Sequence, residues 1–208
     1  MESNQAAEHL QAIRMLMERS AVYRRALAPI MVYCGVVGIM GGLIGGLMPV
    51  VSAREFVLFW AAIAAVALAG SFWLIRRQAV KDSEPFWSPP TRRVAQAILP
   101  PFAIAAFLCG LIVYFNANFQ VGLWLVPVWC CLYGCAMHAA GFFLLRGIRL
   151  FGWLFIILGF LWVLGIIGGL GFVTQAQLPH QAMGGAFGGL HLAYGIYLYF
   201  TEPRGKAS

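Results

Sequence analysis

The sequence predicts an all-α, polytopic membrane protein: a transmembrane bundle of six helices preceded by an amphipathic helix. Three observations lead there. Of 208 residues 62% are hydrophobic and only 10% charged, where soluble domains carry about 25% charged residues. Apolar runs of about 20 residues recur, each long enough to cross a hydrocarbon core of about 30 Å. The short alternating segments of a transmembrane β-barrel are not visible.

The runs define six spans: Ala26–Pro49, Phe56–Ile75, Ala97–Phe115, Val121–Leu145, Leu150–Val173 and Met183–Phe200. No gap between them is long enough for a soluble domain. The organisation is therefore residues 1–25 as a cytoplasmic helix, 26–200 as one membrane domain and 201–208 as a short tail. Residues 5–25 place Leu10, Ile13, Leu16 and Met17 at helical spacing among Glu8, Arg14 and Glu18, a pattern that suits a helix lying on a membrane surface or docked on a partner. The polar start and the long run after it predict an uncleaved anchor in span one.

Charge fixes the orientation. Thirteen of the fourteen Lys and Arg flank the spans on one side, and only Arg54 falls on the other. The positive-inside rule then puts both termini and the segments 76–96 and 146–149 in the cytoplasm, with outer loops near Arg54, Asn118 and His180. The net charge of +7 thus follows from topology, and nucleic acid is excluded as a partner because the basic residues form no cluster on a soluble fold.

Glycine is the most informative residue type. Span one reads "GVVGIMGGLIGGL" and span six begins "MGGAFGGLHLAYG". At about 100° per residue Gly35, Gly38, Gly42 and Gly46 share one ridge, and Gly184, Gly188 and Gly195 another, with His191 on the same side. Small residues four apart let helix backbones approach closely in lipid. Spans one and six are expected to pack together, or each against its copy in another subunit.

All seven acidic residues lie outside the spans, so the intramembrane carboxylates that ion-coupled transporters use are missing. Phosphate loops, catalytic triads and HExxH are missing too, and nothing points to an enzyme. Two histidines at depth, His138 and His191, are the candidates for axial haem ligation. Cys131, Cys135 and His138 share one face of span four within about 60° and are the candidates for a metal site. Residues 131 and 138 are about 10 Å apart along the axis, so one zinc ion could take two of them and not three. The expectation is a colourless, metal-free protein without cofactor, in which this face is packed.

The stretch "LQAIRMLMERSAVYRRALAPI", residues 10–30, resembles a run in uncharacterised bacterial polytopic inner-membrane proteins. The resemblance implies a bacterial inner membrane, names no activity and transfers no functional residue. Three readings compete: a non-enzymatic protein that self-associates or binds another membrane protein through glycine-rich helix faces, a haem or metal redox protein, and a facilitator for a small neutral solute. The first is taken as the expectation, with the lipid bilayer and a homo-oligomer as partners.

Overall fold

The computed structural model describes residues 27–48, 52–81, 87, 89–115, 119–144, 146–170 and 178–201. The expected amphipathic helix and the C-terminal tail lie outside these residues. Six helices are present: α1 (Leu27–Gly46), α2 (Ala53–Lys81), α3 (Pro89–Tyr114), α4 (Phe119–Ala140), α5 (Arg146–Ile167) and α6 (178–201). The first five are long and apolar enough to cross a membrane.

Local chemistry sets most of the helix ends. Pro29 falls in the first turn of α1, where a missing N–H costs nothing because no intrahelical acceptor exists. Ser52 caps α2: its Oγ accepts from the Glu55 N–H at 3.2 Å, and Ser-x-x-Glu is the capping-box pattern. The C-terminus of α5 is a Schellman turn. Gly169 takes φ +67°, Leu170 N–H bonds to the Gly165 carbonyl at 3.1 Å and Gly169 N–H to that of Ile166 at 3.2 Å. A side chain at 169 would strain that conformation.

α2 continues six residues past the expected end at Ile75. At 1.5 Å per residue its 29 residues span about 43 Å. Arg76, Arg77 and Lys81 have long stems that reach water from a helix leaving the apolar layer, and Arg77 lies over the Trp73 ring, 5.5 Å from its centroid. α4 instead stops short, at Ala140, where Gly141 to Phe143 turn back with N–H bonds to Met137, Ala139 and Ala140.

Neighbouring helices alternate in direction. Gly35 meets Leu192 while Gly42 meets Gly184, so α1 and α6 are antiparallel. Gly41 meets Ile63 while Gly70 meets Tyr33, so α1 and α2 are antiparallel as well; Tyr33 also bonds to Val66 and Cys34 to Ser71. Gly134 meets Gly152, and Gly159 meets Pro127, across α4 and α5. Phe151 faces Tyr194 and Phe155 faces Phe187 across α5 and α6. Arg76, Arg77, Lys81, Arg92, Arg93, Arg146 and Arg149 consequently all lie at one end of the bundle, and Arg54 at the other.

The core runs along α4, α5 and α6 and against the first half of α2, with Phe56, Phe155, Ile148 and Pro127 fully buried. α3 is peripheral, and no residue in its most apolar stretch is buried. Pro100 and Pro101 lie inside that helix, and each removes one backbone hydrogen bond.

Candidate functional site

The sixth helix departs from the expected span at both its start and its middle. It begins at Leu178, five residues before the apolar run, so His180 belongs to a helix and not to an outer loop. Leu178–Met183 is α-helical, Gly184–Gly189 is π-helical, and Leu190–Thr201 is α-helical again. π segments widen a helix by one residue per turn and leave carbonyls open to other donors.

Glycine pairs dominate the π segment, and the two members of each pair face different surroundings. Gly184 and Gly188 are buried against α1. A Cβ on Gly184 would stand 2.7 Å from the Gly42 Cα, and one on Gly38 would stand 2.7 Å from the Gly188 Cα. Two backbones in contact leave no room for any side chain at these positions. Gly35 continues the seam, where a Cβ would stand 2.5 Å from the Leu192 nitrogen, and Gly195 meets Val32 at 2.7 Å. Gly45 closes it at the other end by packing on the His180 ring. Gly46, placed on the ridge by its spacing, has only Gln181 near it, at 3.8 Å.

The second member of each pair faces outward. Among the described residues nothing lies within 4 Å of a Cβ built on Gly185 or Gly189. Gly185 and Ala193 are exposed, and Gly189 is half-buried. Gly185, Gly189 and Ala193 therefore form a small-xxx-small-xxx-small ridge on the outer face of α6. The sequence ridges included only the inner members. The doubled glycines of "GGAFGG" were the available signal, since one helix face needs one glycine per turn and not two.

His191 sits just beyond the π segment, 5% exposed. Its Nδ1 pairs with the Phe187 carbonyl and its Nε2 with the Tyr133 hydroxyl. A carbonyl can only accept, so Nδ1 carries the proton and Nε2 accepts from Tyr133 O–H. The neutral ring is satisfied at both nitrogens. Phe151, Phe155, Phe187 and Tyr133 surround it with ring centroids 5.0–6.4 Å away. Haem ligation at this ring would have to displace Tyr133 or the Phe187 carbonyl.

His138 is placed elsewhere. It lies five residues beyond Tyr133 on α4, about 7.5 Å along the axis, with Phe142 and Trp153 edge-on at 5.3 and 5.5 Å. Its Nδ1 is buried without a hydrogen-bond partner. His138 and His191 have none of these ring neighbours in common. Cys131 turns to α5, 4.0 Å from the Ile156 carbonyl, and Cys135 is exposed. Among the described residues no three His, Cys, Asp or Glu side chains are grouped closely enough to hold a metal ion.

His180, like His191, is buried, 4% exposed. Trp60 Nε1–H donates to its Nδ1 at 3.1 Å. Phe56 and Phe59 enclose the ring at 5.0 and 5.1 Å. Trp60 therefore ties the start of α6 to α2, while Gly45 admits the same ring against α1.

No protein-family model, no curated protein and no solved structure matches the chain. The fold and its faces define an integral membrane helix bundle, and the functional argument rests on those faces alone.

Proposed function

We propose that the chain is a non-enzymatic membrane protein of a bacterial inner membrane that acts by associating with a second copy of itself through the outer ridge of α6. The observation that carries this reading is the open ridge of Gly185, Gly189 and Ala193. Lipid-facing glycine gains nothing from the acyl chains beside it and weakens a helix by about 1 kcal/mol relative to alanine. Glycines four apart on such a face are the geometry by which two helices approach closely in lipid. The arginine-rich end faces the cytoplasm in this reading, as the positive-inside rule directs.

The test is the oligomeric state in a bilayer. Single-molecule step-bleaching of the full chain in lipid nanodiscs is expected to give two steps, reduced to one by Gly185→Leu or Gly189→Leu. A wild-type chain that bleaches in one step at every protein-to-lipid ratio overturns the reading.

A further inference from the structure

Arg149 is held in an unusual way at the arginine-rich end. Its guanidinium lies over the face of Phe142, 5.1 Å from the ring centroid. Its stem rests on Gly141, where a Cβ would collide with the Arg149 Cγ. Its Nε is fully covered and makes no hydrogen bond. Phe142 is in turn braced edge-on by His138 at 5.3 Å. The side chain is thus held by Phe142 and Gly141, with its Nε unmatched among the described residues.

Among the described residues the surroundings supply no counter-charge. Glu55, the one described carboxylate, lies at the opposite end of the bundle. Arg146 is exposed and stands three residues before Arg149, on the same face of the helix. Both belong to the first turn of α5, which contains no acidic residue. Helix dipoles carry positive charge at that terminus, so two cations there repel the helix as well as each other. A half-buried guanidinium whose Nε lacks an acceptor is costly, and an anion that joins its open nitrogens offsets that cost.

The geometry points to a binding site for the phosphodiester of an anionic phospholipid headgroup, held by Arg149 and Arg146 at the turn between α4 and α5. Three features favour phosphate over a diffuse surface attraction. Arginine presents a planar fork that matches phosphate oxygens. Phe142 and Gly141 set that fork in advance, so little side-chain entropy is lost on binding. The turn lies where α4 and α5 leave the apolar layer, at the depth at which headgroup phosphates are found.

The experiment titrates the purified full chain, in neutral detergent, with short-chain phosphatidylglycerol, phosphatidylcholine or inorganic phosphate. Native mass spectrometry counts bound molecules and a thermal scan follows the midpoint. Phosphatidylglycerol is expected to bind saturably at one site per chain and to raise the midpoint, while phosphatidylcholine and phosphate do neither. Arg149→Gln should weaken that binding about tenfold, the scale of one charge-assisted hydrogen bond. Arg146→Gln, at an exposed position, should weaken it in a chain whose unliganded midpoint is unchanged. Arg77→Gln, which removes an exposed charge of α2 at the same end of the bundle, should leave it intact. Equal loss in Arg77→Gln would mean unspecific charge attraction and would overturn the site. Saturable binding of inorganic phosphate as tight as that of the lipid would overturn the lipid as its ligand.

Discussion

Gly184 and Gly185 are adjacent in sequence and opposite in circumstance. The first stands against the backbone of Gly42, and a Cβ there would lie 2.7 Å from another Cα. The second has nothing within 4 Å of its Cβ position. Gly188 and Gly189 repeat the contrast one turn later. The difference teaches that one residue type meets two demands on one helix: on the inner face glycine is required by the fold, and on the outer face the fold itself does not require it. Inner and outer substitutions should therefore separate stability from association, and the expected effects can be ranked.

The largest effect belongs to the inner seam. Gly42→Leu would drive four carbons into the Gly184 Cα and the His180 carbonyl, and backbone, unlike a side chain, cannot rotate away. Overpacking of this kind costs about 3 kcal/mol or more. Thermal unfolding in detergent should show a lower midpoint or no cooperative transition. An unchanged midpoint would mean that α1 and α6 are not in contact.

Next comes the polar pair beside the seam. Tyr133→Phe keeps the ring packing but removes the donor to His191 Nε2, leaving a buried acceptor unmatched at a cost of about 1–3 kcal/mol. Tyr133→Phe with His191→Leu should be less damaging than the sum of the two single changes, because the unmatched acceptor is then gone. Additive losses in the double mutant would show that the two side chains do not interact.

A smaller loss is expected at the tie between α2 and α6. Trp60→Phe removes the donor to His180 Nδ1 and leaves a ring near Phe56 and Phe59, for about 1 kcal/mol. His180→Phe in the same background should then cost nothing further from hydrogen bonding. A full additional loss would place the contribution of His180 in its packing on Gly45.

The smallest change in stability should come from the outer ridge. A Cβ at Gly185 meets no described atom within 4 Å, so in Gly185→Leu the unfolding midpoint should move by less than about 0.5 kcal/mol equivalent. Association should nonetheless disappear. Loss of folding in Gly185→Leu would make this face part of the core and erase the contrast with Gly184.

Much of the bundle was legible in the sequence because lipid imposes simple rules. Apolar length marks the spans, and the five long helices fall on the predicted runs with shifted ends. The ends shifted where local chemistry overrides hydropathy. Pro179, His180 and Gln181 lowered the apolar signal before span six, yet Pro179 and His180 are buried, and His180 finds a donor in Trp60. Arg76, Arg77 and Lys81 ended the apolar run of span two without ending the helix, since helical propensity continues through them. Spacing alone allowed either Gly45 or Gly46 on the ridge, and the bulk of the His180 ring made Gly45 the one in contact. The outer ridge had its signal in the doubled glycines, since Gly185, Gly189 and Ala193 also stand four apart, but spacing alone does not say which member of each pair meets α1. The turn that holds Arg149 was hidden for another reason: it depends on Gly141 and Phe142 reversing the chain five residues before the apolar run ends.

That π segment sets the phase of everything after it. A π turn amounts to an α-helix carrying one residue more than its neighbours. Removing that extra residue, for example Ala186, would let the helix close into regular α geometry at little local cost. The later side chains would then keep their positions about the axis, because the bulge had absorbed the extra residue. His191 would stay on Tyr133, Gly195 on Val32 and Leu198 in the core. The same deletion in the α-helical stretch after Leu190, where no bulge can give up a residue, would turn every later side chain by about 100°. The π segment is thus slack in the helix, a place where length can be lost without loss of register.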